Sequence, residues 1–147
     1  MSSSYTRLLQ FAQQFQKFYD RQFLPVLERT GLTMREIHVL LFLANNPGYD
    51  TARDITALRG LSKSQVSQAV DLLAAEGLLH RAHDCQDRRI VHLAVTGPGQ
   101  PLVRECQAIQ ERCSQRLLSA LTPEEQAQFR SLLNILLERG IPEEADV

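Results

Sequence analysis

The sequence predicts a mainly α-helical fold carrying one small β-hairpin. Apolar residues recur at three- and four-residue spacing through most of the chain, residues that cap helices stand in front of those runs, and after Gly77 the pattern changes to short β-branched segments around a polar turn.

The first helix is expected from Tyr5 to Glu28, where Leu8, Phe11, Ala12, Phe15, Phe18, Tyr19 and Phe23 lie on one face, and it ends near Gly31. Thr33 and Glu36 have the spacing of a capping box, in which each side chain takes up the other's unpaired backbone N–H. They start a second helix through Ile37, Leu40, Leu41 and Ala44, stopped by Asn45-Asn46-Pro47-Gly48. A short third helix follows, capped by Asp50 or Thr51, turned inward at Ile55 and Leu58, and closed by Gly60. Ser62 and Gln65 form another capping box for a fourth, whose inward face is Val66, Ala69, Val70 and Leu73 and which runs to Gly77. Two short helices joined by the tight Gly60-Leu61-Ser62 turn read as a helix-turn-helix.

Leu78–His83 and Arg89–Val95 then read as two strands, the second rich in β-branched residues, joined by Asp84-Cys85-Gln86-Asp87-Arg88. The charged tip of this hairpin is a candidate wing. Thr96 precedes a long helix to about Ala120, with an irregular start because Pro98 and Pro101 cannot donate backbone hydrogen bonds. Thr122-Pro123-Glu124-Glu125 opens the last helix with a cap, a proline at the first position and a glutamate at the third. Residues 142–147 read as a frayed acidic tail. The fold class is therefore mainly α with a β-hairpin wing: a winged helix-turn-helix lobe at residues 33–96, and a helical lobe from residues 1–32 and 97–147, within one domain of residues 1–147.

A net charge of −1 excludes a generally basic coat, so nucleic-acid binding has to come from a local patch. Arg53 to His92 carries six Lys and Arg against five acids, whereas Leu93 to Val147 carries five Arg against eight acids, which places that patch in the middle of the chain. The N-terminus has no secretory pattern, and the longest apolar run, Val39 to Ala44, is too short to span a bilayer, which leads to an expected cytoplasmic location. Catalysis is not expected. There is no G-x-S-x-G elbow, no phosphate-cradling glycine loop and no convergent pair of carboxylates with a histidine in an evident cleft, and the serines are explained by helix caps and by a polar helix face. No cofactor is expected.

In a helix-turn-helix the second helix enters the major groove, where short polar side chains reach base edges. Here that helix carries Lys63, Ser64, Gln65, Ser67, Gln68 and Asp71 away from its apolar face. Gln65 and Gln68 suit bidentate contacts to adenine, and the serines suit bases or phosphates. At the hairpin tip, Arg88 and Arg89 suit a narrow minor groove, where the negative potential is strongest. Asp84 and Asp87 are expected to pair with an arginine and orient its guanidinium fork.

In order, the helix-turn-helix, Gly77-Leu78-Leu79-His80-Arg81, the wing Asp84-Cys85-Gln86-Asp87-Arg88-Arg89 and a strand ending at Thr96 resemble the MarR family over nearly the whole chain. The resemblance implies a winged-helix lobe on a helical dimerisation lobe, repressing a nearby promoter until a small molecule binds. Carried over, it places Ser64, Gln65, Ser67 and Gln68 at bases or phosphates, Arg81 at the base of the wing, and Arg88 or Arg89 in the minor groove. Gln68 and Gln86 stand where many relatives carry a basic residue, which removes two phosphate contacts.

Self-association is expected from Phe11, Phe15 and Phe18 near one end and Phe129, Leu132, Leu133, Leu136 and Leu137 near the other, more apolar surface than a small DNA-binding lobe can cover. Two-fold symmetry would then give a pseudo-palindromic operator on double-stranded DNA. Phe15, Tyr19, His38 and Phe42 are the expected lining of a small-molecule effector pocket. Cys106 and Cys113 are seven residues apart, roughly 10.5 Å along one helix and beyond disulfide reach. Cys85, beside the wing arginines, is the cysteine best placed for redox chemistry. His80 and His83 point to opposite faces of a strand and cannot converge with Cys85 on a metal. Two readings compete with the ligand-responsive repressor: a winged-helix dimer that acts through protein partners without DNA, and a thiol-based redox-sensing regulator.

Overall fold

The computed structural model describes residues 2–141, so the acidic tail expected at residues 142–147 lies outside the described residues. The elements run α1 (Ser2–Gln22), α2 (Leu24–Thr30), α3 (Met34–Asn45), α4 (Ala52–Arg59), α5 (Lys63–Ala75), β1 (Leu79–His83), β2 (Val91–Val95), α6 (Gln100–Leu118) and α7 (Pro123–Arg139). Among the described residues no helix is long and apolar enough to cross a membrane.

The single helix expected over residues 5–28 is two helices. The chain breaks at Phe23, and Pro25 in the first turn of α2 explains why, since it has no N–H to continue the ladder of α1. The break turns Phe23 fully inward. Capping boxes form at Thr33, Ser62 and Thr122, where the sequence placed caps with Glu36, Gln65 and Glu125 as partners, and a fourth at α4, where Thr51 rather than Asp50 is the cap and Asp54 its partner. The long helix starts at Gln100 rather than at Thr96. Thr96 instead closes the base of the hairpin, where its hydroxyl donates to the carbonyl of Gly77 at 2.6 Å and its N–H to that of Leu78 at 3.1 Å.

The contacts fall into two compact units, Met1–Glu111 and Arg112–Val147. The first holds the core, built largely from the inward faces the sequence predicts: Ile37 and Leu40 of α3, Ile55 of α4, Val66, Ala69 and Leu73 of α5, and Leu79 and Leu93 of the hairpin. Leu58, also expected to turn inward, is 60% exposed, because it lies in the last turn of the short α4, just before Gly60 ends the helix. Gly60, at φ 78°, makes the left-handed turn between α4 and α5 that a residue with a Cβ would adopt only under strain. β1 and β2 pair antiparallel, with Leu79 opposite Val95 and His83 opposite Val91. A backbone hydrogen bond of 2.7 Å from Leu93 N–H to the carbonyl of Asp50 joins β2 to the segment before α4. The chain after the hairpin passes so close beneath it that a Cβ on Gly99 would lie 2.6 Å from the Leu78 carbonyl oxygen, so only glycine fits there.

In the second unit α7 buries none of its residues, and Leu132, Leu136 and Leu137 are 62%, 65% and 70% exposed.

Candidate nucleic-acid interface

The N-terminal part of α5 presents an exposed polar surface. Val66, Ala69, Val70 and Leu73 fix its rotation by burying the opposite side, which leaves Lys63, Ser64, Gln65, Ser67 and Gln68 in solvent. Two of these side chains are already oriented. The carbonyl oxygen of the Gln65 amide accepts from Ser62 N–H at 2.9 Å, as the capping box requires. That of Gln68 accepts from a guanidinium N–H of Arg35, on α3, at 2.8 Å.

Arg35 itself was not marked by the sequence, because nothing in its local spacing separates it from any other charge in a first helical turn. Its other terminal nitrogen donates to Glu36 at 3.1 Å. Glu36 is a buried carboxylate; burial alone would raise its pKa, but hydrogen bonds from Thr33 and Arg35 hold it below the usual carboxylate range.

Arg81 stands on β1 and is ion-paired with Asp71 of α5, which ties the hairpin to that helix. Lys63, Ser67 and Arg81 meet at one cavity of about 590 Å³, together with Arg53, Val70 and Leu93. At the tip, Asp87 holds the guanidinium of Arg89 in a fork, its two carboxylate oxygens 3.1 Å from Nε and Nη2, and also accepts from the Arg89 N–H at 3.0 Å. The Arg89 side chain remains 90% exposed, an oriented cation presented to solvent. Arg88 has no ion pair among the described residues.

Asp84 departs from the expected pairing with arginine. One oxygen accepts the N–H groups of Gln86 and Asp87, both at 3.0 Å, and the other lies 2.8 Å from His92 Nε2. His92 Nδ1 lies 2.8 Å from Asp50 on the far side of the ring. Both ring nitrogens face carboxylates, which only act as acceptors when ionised, so the arrangement fits the imidazolium. Hydrogen bonds to Asp50 and Asp84 accordingly raise the His92 pKa, and the bond from His92 is the main cause holding Asp84 at about 2. The result is a bracket fastening the wing tip to the segment before α4. A histidine inside the apolar run Ile90-Val91-His92-Leu93 was the available hint, but its partner 42 residues away was invisible to local spacing.

The pH dependence follows from these directions. A raised histidine pKa contributes stability that is complete below the unfolded-state value and is lost as pH rises through the folded-state value; a lowered aspartate contributes stability above its unfolded-state value and loses it as pH falls towards 2. The bracket therefore weakens from mildly acidic to alkaline pH. The expected result is that backbone N–H exchange at Gln86 and Asp87, after correction for intrinsic rates, accelerates over that rise in wild type and is already fast and flat in His92→Ala. Nuclear magnetic resonance exchange measurements check this.

Of the four residues expected to line an effector pocket, Tyr19, His38 and Phe42 border one cavity of about 170 Å³, with Arg59 and Gln110 among its other walls. Phe15 is not among its lining residues. It sits one helical turn before Tyr19 on α1, ring centroids 6.3 Å apart. The Tyr19 hydroxyl accepts from Gln110 at 2.9 Å, and Gln110 accepts from Asn45 at 3.0 Å. His38 Nε2 is buried without a hydrogen-bond partner, and burial, helped by Arg59, lowers the His38 pKa so that the neutral ring is favoured. Cys85 is exposed on the wing turn, while Cys106 and Cys113 are buried; burial pushes the Cys106 thiol up to about 11 and raises Cys113 as well, so neither is poised as a thiolate.

A helix-turn-helix whose second helix is polar, followed by a hairpin that presents arginines, defines a winged helix-turn-helix protein. The MarR family model matches residues 30–90. The HTH-type transcriptional repressor MdtR of Bacillus subtilis (strain 168) is 31% identical over 114 residues, 78% of this chain and 72% of that protein. The S. aureus MepR–DNA complex superposes with a TM-score of 0.70 at 25% identity, covering 92% of this chain and 98% of that one. CouR from Rhodococcus jostii RHA1, bound to p-coumaroyl-CoA, gives 0.69 at 25% identity over 92% of each chain. The chain belongs to the MarR family of transcriptional regulators.

Proposed function

We propose that this protein is a homodimeric repressor that binds a pseudo-palindromic operator and releases it when a small molecule occupies the cavity bordered by Tyr19, His38 and Phe42. The observation that carries the reading is the pairing, within one compact unit, of an exposed polar α5 with a wing whose Arg88 and Arg89 stay in solvent. In this reading α5 enters the major groove with Lys63, Ser64, Gln65, Ser67 and Gln68 near bases and phosphates. Arg81 fixes the wing, Asp87 aims Arg89, and Arg88 and Arg89 meet the minor groove. Residues 33–96 form the DNA-binding lobe, and residues 1–32 and 97–147 supply the dimer contacts in the cytoplasm.

Dimerisation is supported by apolar surface that each unit leaves uncovered: Leu8, Leu9 and Phe11 on α1, and Leu132, Leu136 and Leu137 on α7. Solvated patches of that kind mark association surfaces. Effector control is supported by the partnerless His38 nitrogen at the cavity, since an unsatisfied buried polar atom is stabilised by a ligand that reaches it. A ligand that favours a dimer with a different spacing of the two recognition helices lowers DNA affinity by its differential affinity for the two states.

Fluorescence-anisotropy titration onto the duplex flanking its own gene, against scrambled DNA over a salt series, tests the reading. Specific binding is expected to weaken steeply with salt, because each neutralised phosphate releases condensed counterions. Arg88→Ala is expected to reduce the magnitude of the logarithmic salt slope by about 1 per subunit. Equal binding to both duplexes, or a slope unchanged by Arg88→Ala, would count against it.

A further inference from the structure

Among the polar side chains of α5, the two glutamines are the natural readers of base identity, and a free glutamine amide pairs bidentately with adenine because its carbonyl accepts from N6 while its NH2 donates to N7. Neither amide is free. Ser62 N–H at 2.9 Å and the Arg35 guanidinium at 2.8 Å are both obligatory donors, so each can face only the carbonyl end of its glutamine. Both NH2 ends have no acceptor among the described residues, and both residues are exposed to solvent.

We infer that the two glutamines of α5 present donors to DNA and that Gln68 selects guanine over adenine where it touches a base, with Arg35 as the residue that sets this preference. Guanine offers two acceptors, O6 and N7, to the two hydrogens of the NH2 group. Adenine offers one acceptor and one donor, and its N6 amino group would have to share a carbonyl oxygen that already accepts from a cation, with the guanidinium in the way of a planar bidentate approach. The local field points the same way. The Arg35 charge stands behind Gln68, and the N-terminal end of α5, the positive end of its dipole, stands behind Gln65. Arg35 is half-buried, its side chain 30% exposed, and is fixed from a second direction by buried Glu36, so the donor cannot swing away from Gln68 without unpairing that carboxylate. The MarR pattern of residues 62–68 does not contain this information, because Arg35 comes from α3 and meets Gln68 only in the folded chain. Arg35 is thus a positioning residue, acting on DNA through Gln68.

The inference rests on the DNA-binding reading above, and the test separates the two. Wild type, Gln68→Ala, Arg35→Met and Arg35→Lys are each used to select from a library of randomised duplexes. The position whose preference disappears in Gln68→Ala is the Gln68 contact. Guanine is expected there in wild type and in Arg35→Lys, which keeps a charged donor; adenine is expected to rise in Arg35→Met, which frees the carbonyl. At that position a guanine-to-adenine change is expected to weaken wild-type binding on the order of tenfold. Adenine in wild type, a preference unmoved by Arg35→Met, or no position altered by Gln68→Ala would each overturn the inference while leaving DNA binding intact. If wild type enriches no sequence, the DNA-binding reading falls and the inference with it. Should Arg35→Met fail to fold because Glu36 loses its partner, wild type alone decides. Replacing the contacted guanine by 7-deazaguanine is expected to weaken binding about three- to tenfold, and unchanged affinity would overturn the inference.

Discussion

Leu132→Glu combined with Leu136→Glu is expected to leave the protein monomeric and to weaken operator binding by about 10²- to 10⁴-fold. The two leucines are one helical turn apart on α7, both more than 60% exposed in the single chain, so the charges add no strain to the chain's own packing. In a dimer interface each would strand an unpaired carboxylate in an apolar setting. DNA affinity falls by more than one subunit's contacts because the second half-site is no longer bound at the high effective concentration that the dimer imposes. Sedimentation equilibrium checks the assembly. Wild type is expected at twice the chain mass of 16.7 kDa and the variant at that mass, with an unchanged helical signal in circular dichroism. A variant that stays dimeric would show that α7 lies outside the interface.

Phe23→Ala is expected to have the largest effect on stability of any single change in the first unit, about 3–5 kcal/mol. Phe23 is fully buried at the break between α1 and α2, with its ring 4.9 Å from that of Tyr19. Its loss leaves a cavity where the chain changes direction, and Pro25, already committed to the first turn of α2, limits how far the backbone can collapse into it. Against a typical total of about 5–15 kcal/mol, that loss is a large fraction. Urea denaturation should show a lower midpoint with an unchanged slope, and a loss under about 1 kcal/mol would mean that the break is not a packed joint.

What the sequence made legible was whatever is encoded locally. Capping boxes are four-residue signals, and the structure forms each of them where the pattern stands. The apolar spacing of α3 and α5 likewise gave their inward faces, because burial and helical period leave one solution; in the short α4 it gave Ile55 but not Leu58, which is 60% exposed one turn further on, at the end of the helix before Gly60. The break at Phe23 was missed because continuous amphipathic spacing outweighed Pro25, which by itself is tolerated in a first helical turn. The links that shape the candidate interface were not legible at all. Arg35 meets Gln68 across 33 positions, and His92 meets Asp50 across 42, so neither pair leaves a mark at helical or strand spacing. Asp84 looked like a partner for arginine because arginines are its near neighbours; the antiparallel register, with His92 one residue from the turn-proximal pair His83–Val91, brings an imidazole within reach instead.

The claim on which the rest depends is that two copies of α5 and two wings sit on one stretch of duplex. Hydroxyl-radical footprinting of the duplex flanking the protein's own gene tests it most directly, run with wild type and Arg88→Ala. The account predicts two protected segments about one helical turn, 10–10.5 bp, apart, with protection in the flanking minor grooves that fades in Arg88→Ala while the central protection persists. Uniform protection without two-fold pattern, or flanking protection indifferent to Arg88, would contradict it.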